Sequence, residues 1–282
     1  MKTLYRSPES AERIRAANDS LIEHWQHEHQ MTVTRQRIGE ASVLRFGTPD
    51  GERLILLHGH ALNATMWHEF APYLREYDCI APDLIGQPGE SIGEPFTRVD
   101  QHIQWLIALM DALHIERTRL IGLSMGGFLT LRLAAAVPER IVRAVALAPA
   151  GIVAPNVFTL LPAMSPVMRG MTEANIKRVA DNVAGGAMHP ETFRTWKAGI
   201  MEYHAKAFFR PRLNADDWRR LTMPVMIRVG TRDVFMSARQ MERTIRKFAP
   251  SSVDFAILDG ENHHFTRTFD TTLQQIALFL RG

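Results

Sequence analysis

Ser124 stands in Gly122-Leu123-Ser124-Met125-Gly126, and that spacing is the strongest chemical feature of the chain. The apolar run Leu120-Ile121 precedes it, and an amphipathic segment, Phe128 to Ala136, follows. A serine on a tight strand-to-helix turn is exposed and backbone-strained, and flanking glycines let neighbouring chain approach where a Cβ would clash. A serine hydroxyl is a weak nucleophile at neutral pH. It needs a base to take its proton and a carboxylate to orient that base. In open α/β sheets such groups sit past the carboxyl ends of strands. Met226 to Val229 reads as a strand and runs into Gly230-Thr231-Arg232-Asp233. Val253 to Leu258 reads as another and runs into Asp259-Gly260-Glu261-Asn262-His263-His264-Phe265. The residues therefore imply acyl transfer, with Ser124 as nucleophile, Asp233 as orienter, and a base drawn from the pair His263 and His264.

The elements that must position these groups follow from hydrophobic period. Ser7-Pro8-Glu9 is a helix start, and Ile14, Ala17, Leu21 and Trp25 continue at helical spacing, giving an N-terminal helical extension over 1–30. Met31 to Arg37 and Ser42 to Phe46 alternate as a hairpin turned at Gly39-Glu40. Strands are expected at Arg53 to Leu57, Tyr77 to Ala81 and Ile141 to Ala148. Between them fall one helix containing Trp67, Phe70 and Leu74, and a second capped by Asp100. Strands alternating with helices imply a mainly parallel sheet covered on both faces. The rhythm stops at Pro149, gives way to helical segments over 151–213, and resumes for 214–282. The expected organisation is a core in two parts, 31–150 and 214–282, with a helical cap inserted between them.

Composition sets the outer limits. The chain has 282 residues, 46% of them hydrophobic and 22% charged, which suits a globular protein with a sizeable core. A formal charge of +3, spread over scattered Lys and Arg, gives no nucleic-acid footprint. The one cysteine, Cys79, excludes an intrachain disulfide and reads as a buried thiol, which fits a cytoplasmic setting. The N-terminus lacks the apolar core of a signal peptide. Residues 144–168 carry no charge, but Pro149, Pro155, Pro162 and Pro166 are expected to break any helix there, so no membrane span is expected. His24, His27 and His29 invite a metal reading. With no acidic or cysteine partner evident in the sequence, they are read instead as a solvated helix end. His58 and His60 lack a third ligand in the same way.

Four motifs give the chain a resemblance to the α/β-hydrolase superfamily over roughly 31–282. His58-Gly59-His60 resembles the family's oxyanion turn. Asp83-Leu84-Ile85-Gly86-Gln87-Pro88-Gly89-Glu90-Ser91 resembles its Asp-Leu-x-Gly-x-Gly-x-Ser loop, with an altered middle and one extra residue. Gly122 to Gly127 matches the nucleophile elbow, and Gly230 to Asp233 the acid turn. The chain order Ser, Asp, His agrees. The resemblance implies an α/β-hydrolase sheet, mainly parallel, with helices on both faces and a helical cap. It makes His263 the preferred base and His264 the alternative, because Gly260-Glu261-Asn262-His263 keeps the family's spacing. Asn262 replaces a glycine there, and asparagine tolerates the left-handed backbone. The implied oxyanion donors are the N–H of Met125 and that of His60, with Ala61 as the alternative. Asp83 becomes a structural loop residue, and His58 an orienter of the oxyanion loop.

A serine nucleophile argues against the haloalkane dehalogenases and soluble epoxide hydrolases of this fold, which use Asp. The reading is a serine esterase that needs neither metal nor cofactor and acts on a small to medium, apolar carboxylic ester. Lactonase, thioesterase, C–C bond hydrolase and perhydrolase chemistry stay open with the same triad, as does a small-ligand receptor. Phe158, Met164, Met168 and Phe208 are cap candidates for the substrate pocket, and Arg210 and Arg212 the candidates for an anion clamp. The expected partner is a small-molecule ester, not nucleic acid or membrane.

Overall fold

The computed structural model describes residues 4–186, 188–204, 212–265 and 269–282. Eight strands form one sheet in the order β1-β2-β4-β3-β5-β6-β7-β8. They are β1 (Val33–Ile38), β2 (Ala41–Gly47), β3 (Arg53–Leu57), β4 (Asp78–Pro82), β5 (Thr118–Leu123), β6 (Ile141–Leu147), β7 (Val225–Gly230) and β8 (Val253–Leu258). β2 pairs antiparallel with both β1 and β4, and from β4 onward every pair is parallel. Parallel strands need helical crossovers, which cover both faces, so β3 to β7 are buried almost throughout.

The helices are α1 (Pro8–His29), α2 (Ala71–Leu74), α3 (Val99–Ala112), α4 (Met125–Ala136), α5 (Val157–Met168), α6 (Glu173–Ala184), α7 (Pro190–Glu202), α8 (Ala215–Arg219), α9 (Ala238–Phe248) and α10 (Phe269–Arg281). One core cluster joins one face of the sheet to α3, α4 and α9, through residues such as Leu106, Phe128 and Met241. The other joins the opposite face to α1, α6 and α10, through Trp25, Val179 and Ile276. Cys79 lies in that second core, where burial drives its thiol well above the ordinary range.

Several expectations change in detail. The helix expected around Trp67 is a 3₁₀ segment, Ala64–Phe70, followed by the single turn of α2. Arg98, not Asp100, is the N-cap of α3; Asp100 lies in its first turn, where a carboxylate favours the positive end of the helix dipole. Pro162 and Pro166 lie inside α5 instead of breaking it. Each proline removes one backbone donor, a loss that a helix largely exposed to solvent tolerates. At twelve residues α5 is far too short to cross a bilayer, and among the described residues no helix is long and apolar enough to do so.

The helices α5, α6 and α7 lie between β6 and β7 in sequence. The N-terminal extension binds this insertion as well as the main body. Arg6 N–H donates to Glu202 O at 2.9 Å, His204 N–H to Leu4 O at 2.8 Å, and the Arg13 guanidinium pairs with the Glu202 carboxylate at 2.7 Å. Farther along α1, the Trp25 ring packs edge-on against Phe46 of β2 with centroids 4.7 Å apart.

Candidate active site

Ser124 falls between β5 and α4 with φ 55° and ψ −108°, a combination strongly disfavoured for a residue with a Cβ. Neighbouring backbone holds it there. Ser124 N–H donates to Leu147 O at 2.8 Å, and its own carbonyl accepts from Phe128 N–H and Ala150 N–H, each at 3.0 Å. The glycines have a direct steric reason. A Cβ on Gly126 would collide with the carbonyls of Leu57 and His58, and one on Gly122 with the backbone of Gly126. α4 therefore starts hard against β3 and β5, with Ser124 at the carboxyl edge of the sheet.

Asp233 follows β7 by a short turn, and His263 follows β8. His263 Nδ1 lies 2.7 Å from Asp233 Oδ2. The other carboxylate oxygen accepts Phe235 N–H at 2.8 Å and Met236 N–H at 3.0 Å. Those donors fix the carboxylate plane. As Asp233 is an acceptor, Nδ1 carries the ring proton and Nε2 is left with a lone pair. Both side chains are buried, at 5% exposed for His263 and 0% for Asp233. The Phe235 ring lies 4.6 Å from the imidazole, centroid to centroid. Gly230 carries this approach of the two loops, since a Cβ there would strike the Glu261 and Asn262 carbonyls.

His264 does not share the contact with Asp233. It lines the same cavity, and burial together with the neighbouring His263 pushes its imidazole down to about 3, so it is neutral at pH 7. The left-handed residues of this loop are Gly260 (φ 72°) and Phe265 (φ 57°), not Asn262. Asn262 has another task. Its Oδ1 accepts His264 N–H at 2.8 Å, and its side-chain amide packs against Gly185 at the end of α6. It thus ties the histidine loop to the inserted helices.

On the opposite wall lies the loop His58 to Leu62. His58 is fully buried; its Nδ1–H donates to Gly59 O at 2.9 Å and its Nε2 accepts Leu84 N–H at 2.8 Å. With both nitrogens engaged it orients the loop and has no lone pair for a metal. Burial lowers its imidazole to about 4. Asp83 is likewise structural: its carboxylate accepts Ala64 N–H at 2.9 Å and Glu90 N–H at 2.7 Å. Ala61 sits at φ 57°, and its N–H donates to Gln87 Oε1 at 2.8 Å. That bond engages the N–H of Ala61, the alternative oxyanion donor, with the Gln87 side chain. The altered Gln87-Pro88 middle of the loop thereby has a role that no sequence motif signalled.

Ser124, His263 and His60 open into a cavity of about 510 Å³. Among the described residues its lining carries no Asp, Glu, Lys or Arg. Met164 and Leu160 of α5, Val179 and Val183 of α6, and Trp196 of α7 form the apolar roof. Of the cap candidates, Met164 lines the cavity. Phe158 and Met168 do not: they are 86% and 72% exposed, on the outer face of α5. The period of α5 offers both faces as apolar, so the sequence alone did not separate them. Phe208 and Arg210 lie outside the described residues, and Arg212 is exposed and away from the cavity. Val179 and Val183, four apart on the buried stripe of α6, were missed, although their helical spacing marks them as inward-facing.

A profile of the alpha/beta hydrolase family matches residues 54–271. The uncharacterized carboxylesterase nap of Bacillus subtilis (strain 168) is 28% identical over 245 residues, covering 80% of this chain and 78% of that protein. Carboxylesterase YbfK of the same organism is 32% identical over 145 residues, covering 50% of this chain and 49% of that protein. The crystal structure of naproxen esterase from Bacillus subtilis superposes with a TM-score of 0.84 at 20% identity, covering 98% of this chain and 100% of that one. The profile spans the elbow, the acid turn and the histidine loop alike, and the chain belongs to the alpha/beta hydrolase family.

Proposed function

We propose that this protein is a serine hydrolase that cleaves a small to medium, apolar carboxylic ester through an acyl-enzyme on Ser124. The observation that carries this reading is the 2.7 Å contact between His263 and Asp233, with His263 and Ser124 lining the same cavity. Its relatives include proteins named carboxylesterase, and one similar structure is that of naproxen esterase.

In this mechanism His263 Nε2 takes the Ser124 proton as Oγ attacks the acyl carbon. Asp233 holds the tautomer and stabilises the imidazolium that forms. The oxyanion is met by the N–H of Met125, whose place in the first turn of α4 leaves it without an intrahelical acceptor, and by the N–H of His60. His263 then returns the proton to the leaving alcohol, and water repeats the sequence to release the acid. The segment 151–213 acts as a cap, roofing the acyl site with α5, α6 and α7. Its apolar lining favours an uncharged acyl or aryl group, because a carboxylate there would lose its hydration with no cation to replace it. We place the protein in the cytoplasm, where its single buried thiol stays reduced.

Turnover of p-nitrophenyl butyrate by the wild type and by Ser124→Ala tests the reading. The wild type is expected to be active and the variant to lose at least about 10³-fold in kcat. Equal rates for the two proteins would overturn it.

A further inference from the structure

Far along α1 from its contact with Glu202, the chain gathers histidines from three elements. His24, Glu28 and His29 come from the end of α1, His68 from the 3₁₀ segment after the oxyanion loop, and His189 from the N-cap of α7. Ring centroids of His68 and His189 are 5.0 Å apart, those of His24 and His189 5.8 Å, and those of His29 and His68 6.1 Å. Glu28 Oε2 sits between the groups, 3.2 Å from His24 Nε2 and 3.8 Å from His29 Nε2. Ligand atoms of His24, Glu28 and His189 all lie within 4.8 Å of one another, and so do those of Glu28, His29 and His68. None of the five lines the cavity at Ser124.

Two features set this cluster apart from a solvated helix end. His68 is 1% exposed, and its Nδ1 has no hydrogen-bond partner. His29 Nε2 is buried without one as well. A buried imidazole nitrogen left unpaired costs free energy that a ligand would recover. The sequence hid this arrangement, because two of the imidazoles arrive from segments distant in the chain.

We propose that His24, His29, His68 and His189, with Glu28 as the shared carboxylate, bind one zinc-class divalent transition-metal ion. Imidazole nitrogens with a single carboxylate suit Zn²⁺, Ni²⁺ or Cu²⁺ better than the oxygen-seeking Ca²⁺ or Mg²⁺. Five donors about 2.0–2.1 Å from one zinc ion would stand roughly 3–3.5 Å from their neighbours, so donors now up to 4.8 Å apart within each group of three must draw in by about 1 Å. His24 and Glu28, each 42% exposed at the side chain, have the freedom to do so. The ion is a clip, not a catalyst. It joins the N-terminal helix and the start of α7 to the segment that continues from the oxyanion loop, fixing one side of the cap to the body.

The test uses the full-length protein without an affinity tag, stripped with a chelator and dialysed. Zn²⁺ is titrated calorimetrically, the metal retained after gel filtration is counted, and the melting temperature is read with and without Zn²⁺. One ion per chain and a melting temperature several degrees higher with Zn²⁺ are expected, since a ligand bound only by the native state stabilises it. The double variant His24→Gln, Glu28→Gln changes only half-exposed side chains. It should melt as the metal-free wild type does, bind Zn²⁺ at least tenfold more weakly, and lose the Zn²⁺-dependent rise. His27→Gln, on an exposed neighbouring position, should keep both. Well under one ion per chain in the wild type, or undiminished affinity in the double variant, would overturn the proposal.

Discussion

His263 Nδ1 lies 2.7 Å from an Asp233 oxygen whose partner oxygen is already held by two backbone N–H groups. The carboxylate therefore cannot rotate away, and the imidazole it fixes has one tautomer available. Asp233→Asn keeps the shape but places an amide where only an acceptor serves. The expected loss in kcat is about 10⁴-fold with little change in KM for a soluble ester, the scale seen when a triad acid becomes an amide. Steady-state kinetics of the purified variant checks this, and a kcat within tenfold of wild type would contradict it.

Gly126 is expected to be irreplaceable for steric reasons alone. A methyl group at that position meets the Leu57 and His58 carbonyls, which belong to a central strand and its loop and cannot move aside. Gly126→Ala should cost more than about 4 kcal/mol, in the range reserved for severe backbone or core clashes. Soluble yield and urea unfolding read the effect; a variant with a wild-type midpoint would show that α4 can back away from β3.

The two faces of α5 should behave differently. Met164 roofs the cavity, whereas Phe158 and Met168 face outward. Met164→Ala lengthens the space above Ser124 and should raise the kcat/KM ratio of longer to shorter acyl esters by about tenfold, the worth of one or two methylenes in an apolar pocket. Phe158→Ala and Met168→Ala should leave that ratio within about twofold on dissolved substrates. A chain-length series of p-nitrophenyl esters separates these outcomes.

Acid should destabilise the fold partly through His58. Its imidazole titrates near 4 in the folded chain because it is buried, and near 6.5 once exposed. Above 6.5 neither state carries the proton. Between 6.5 and about 4 the unfolded chain gains a proton that the native one refuses, so stability falls as pH drops through that window. At about 1.4 kcal/mol per pH unit the loss reaches roughly 3 kcal/mol. Urea midpoints at pH 7.5 and 4.5 measure it. His58→Asn, which still offers a donor and an acceptor, should show a smaller fall than wild type; an identical fall would remove His58 as a cause.

Much of this was legible in the residues because the steric and chemical demands are local. The strand-to-helix turn at Ser124 needs its glycines, and Asp233 and His263 follow strands that are mostly apolar, interrupted only by Arg228 in β7 and Asp254 in β8. β3 and β8 fall at the residues that hydrophobic pattern assigned. What escaped was non-local. Gln87 reaches Ala61 N–H across a loop, and Asn262 packs against Gly185 from another element. Local propensity also misjudged α5, whose prolines are tolerated on a surface helix, and Asn262, whose backbone is not left-handed. Motif spacing alone leaves His263 and His264 as alternatives, because which ring meets Asp233 depends on how two separate loops fold together; the 2.7 Å contact is made by His263.

The central claim is that Ser124 is the nucleophile and His263 its base. A p-nitrophenyl alkylphosphonate, which phosphonylates an activated serine and releases a coloured phenol, tests both parts with intact mass and peptide mapping. The account predicts one adduct per chain, on Ser124. It predicts no adduct with Ser124→Ala, labelling slowed by about 10³-fold or more with His263→Ala, and a rate within about tenfold of wild type with His264→Ala. An adduct on another residue, or labelling abolished by His264→Ala but retained by His263→Ala, would contradict it.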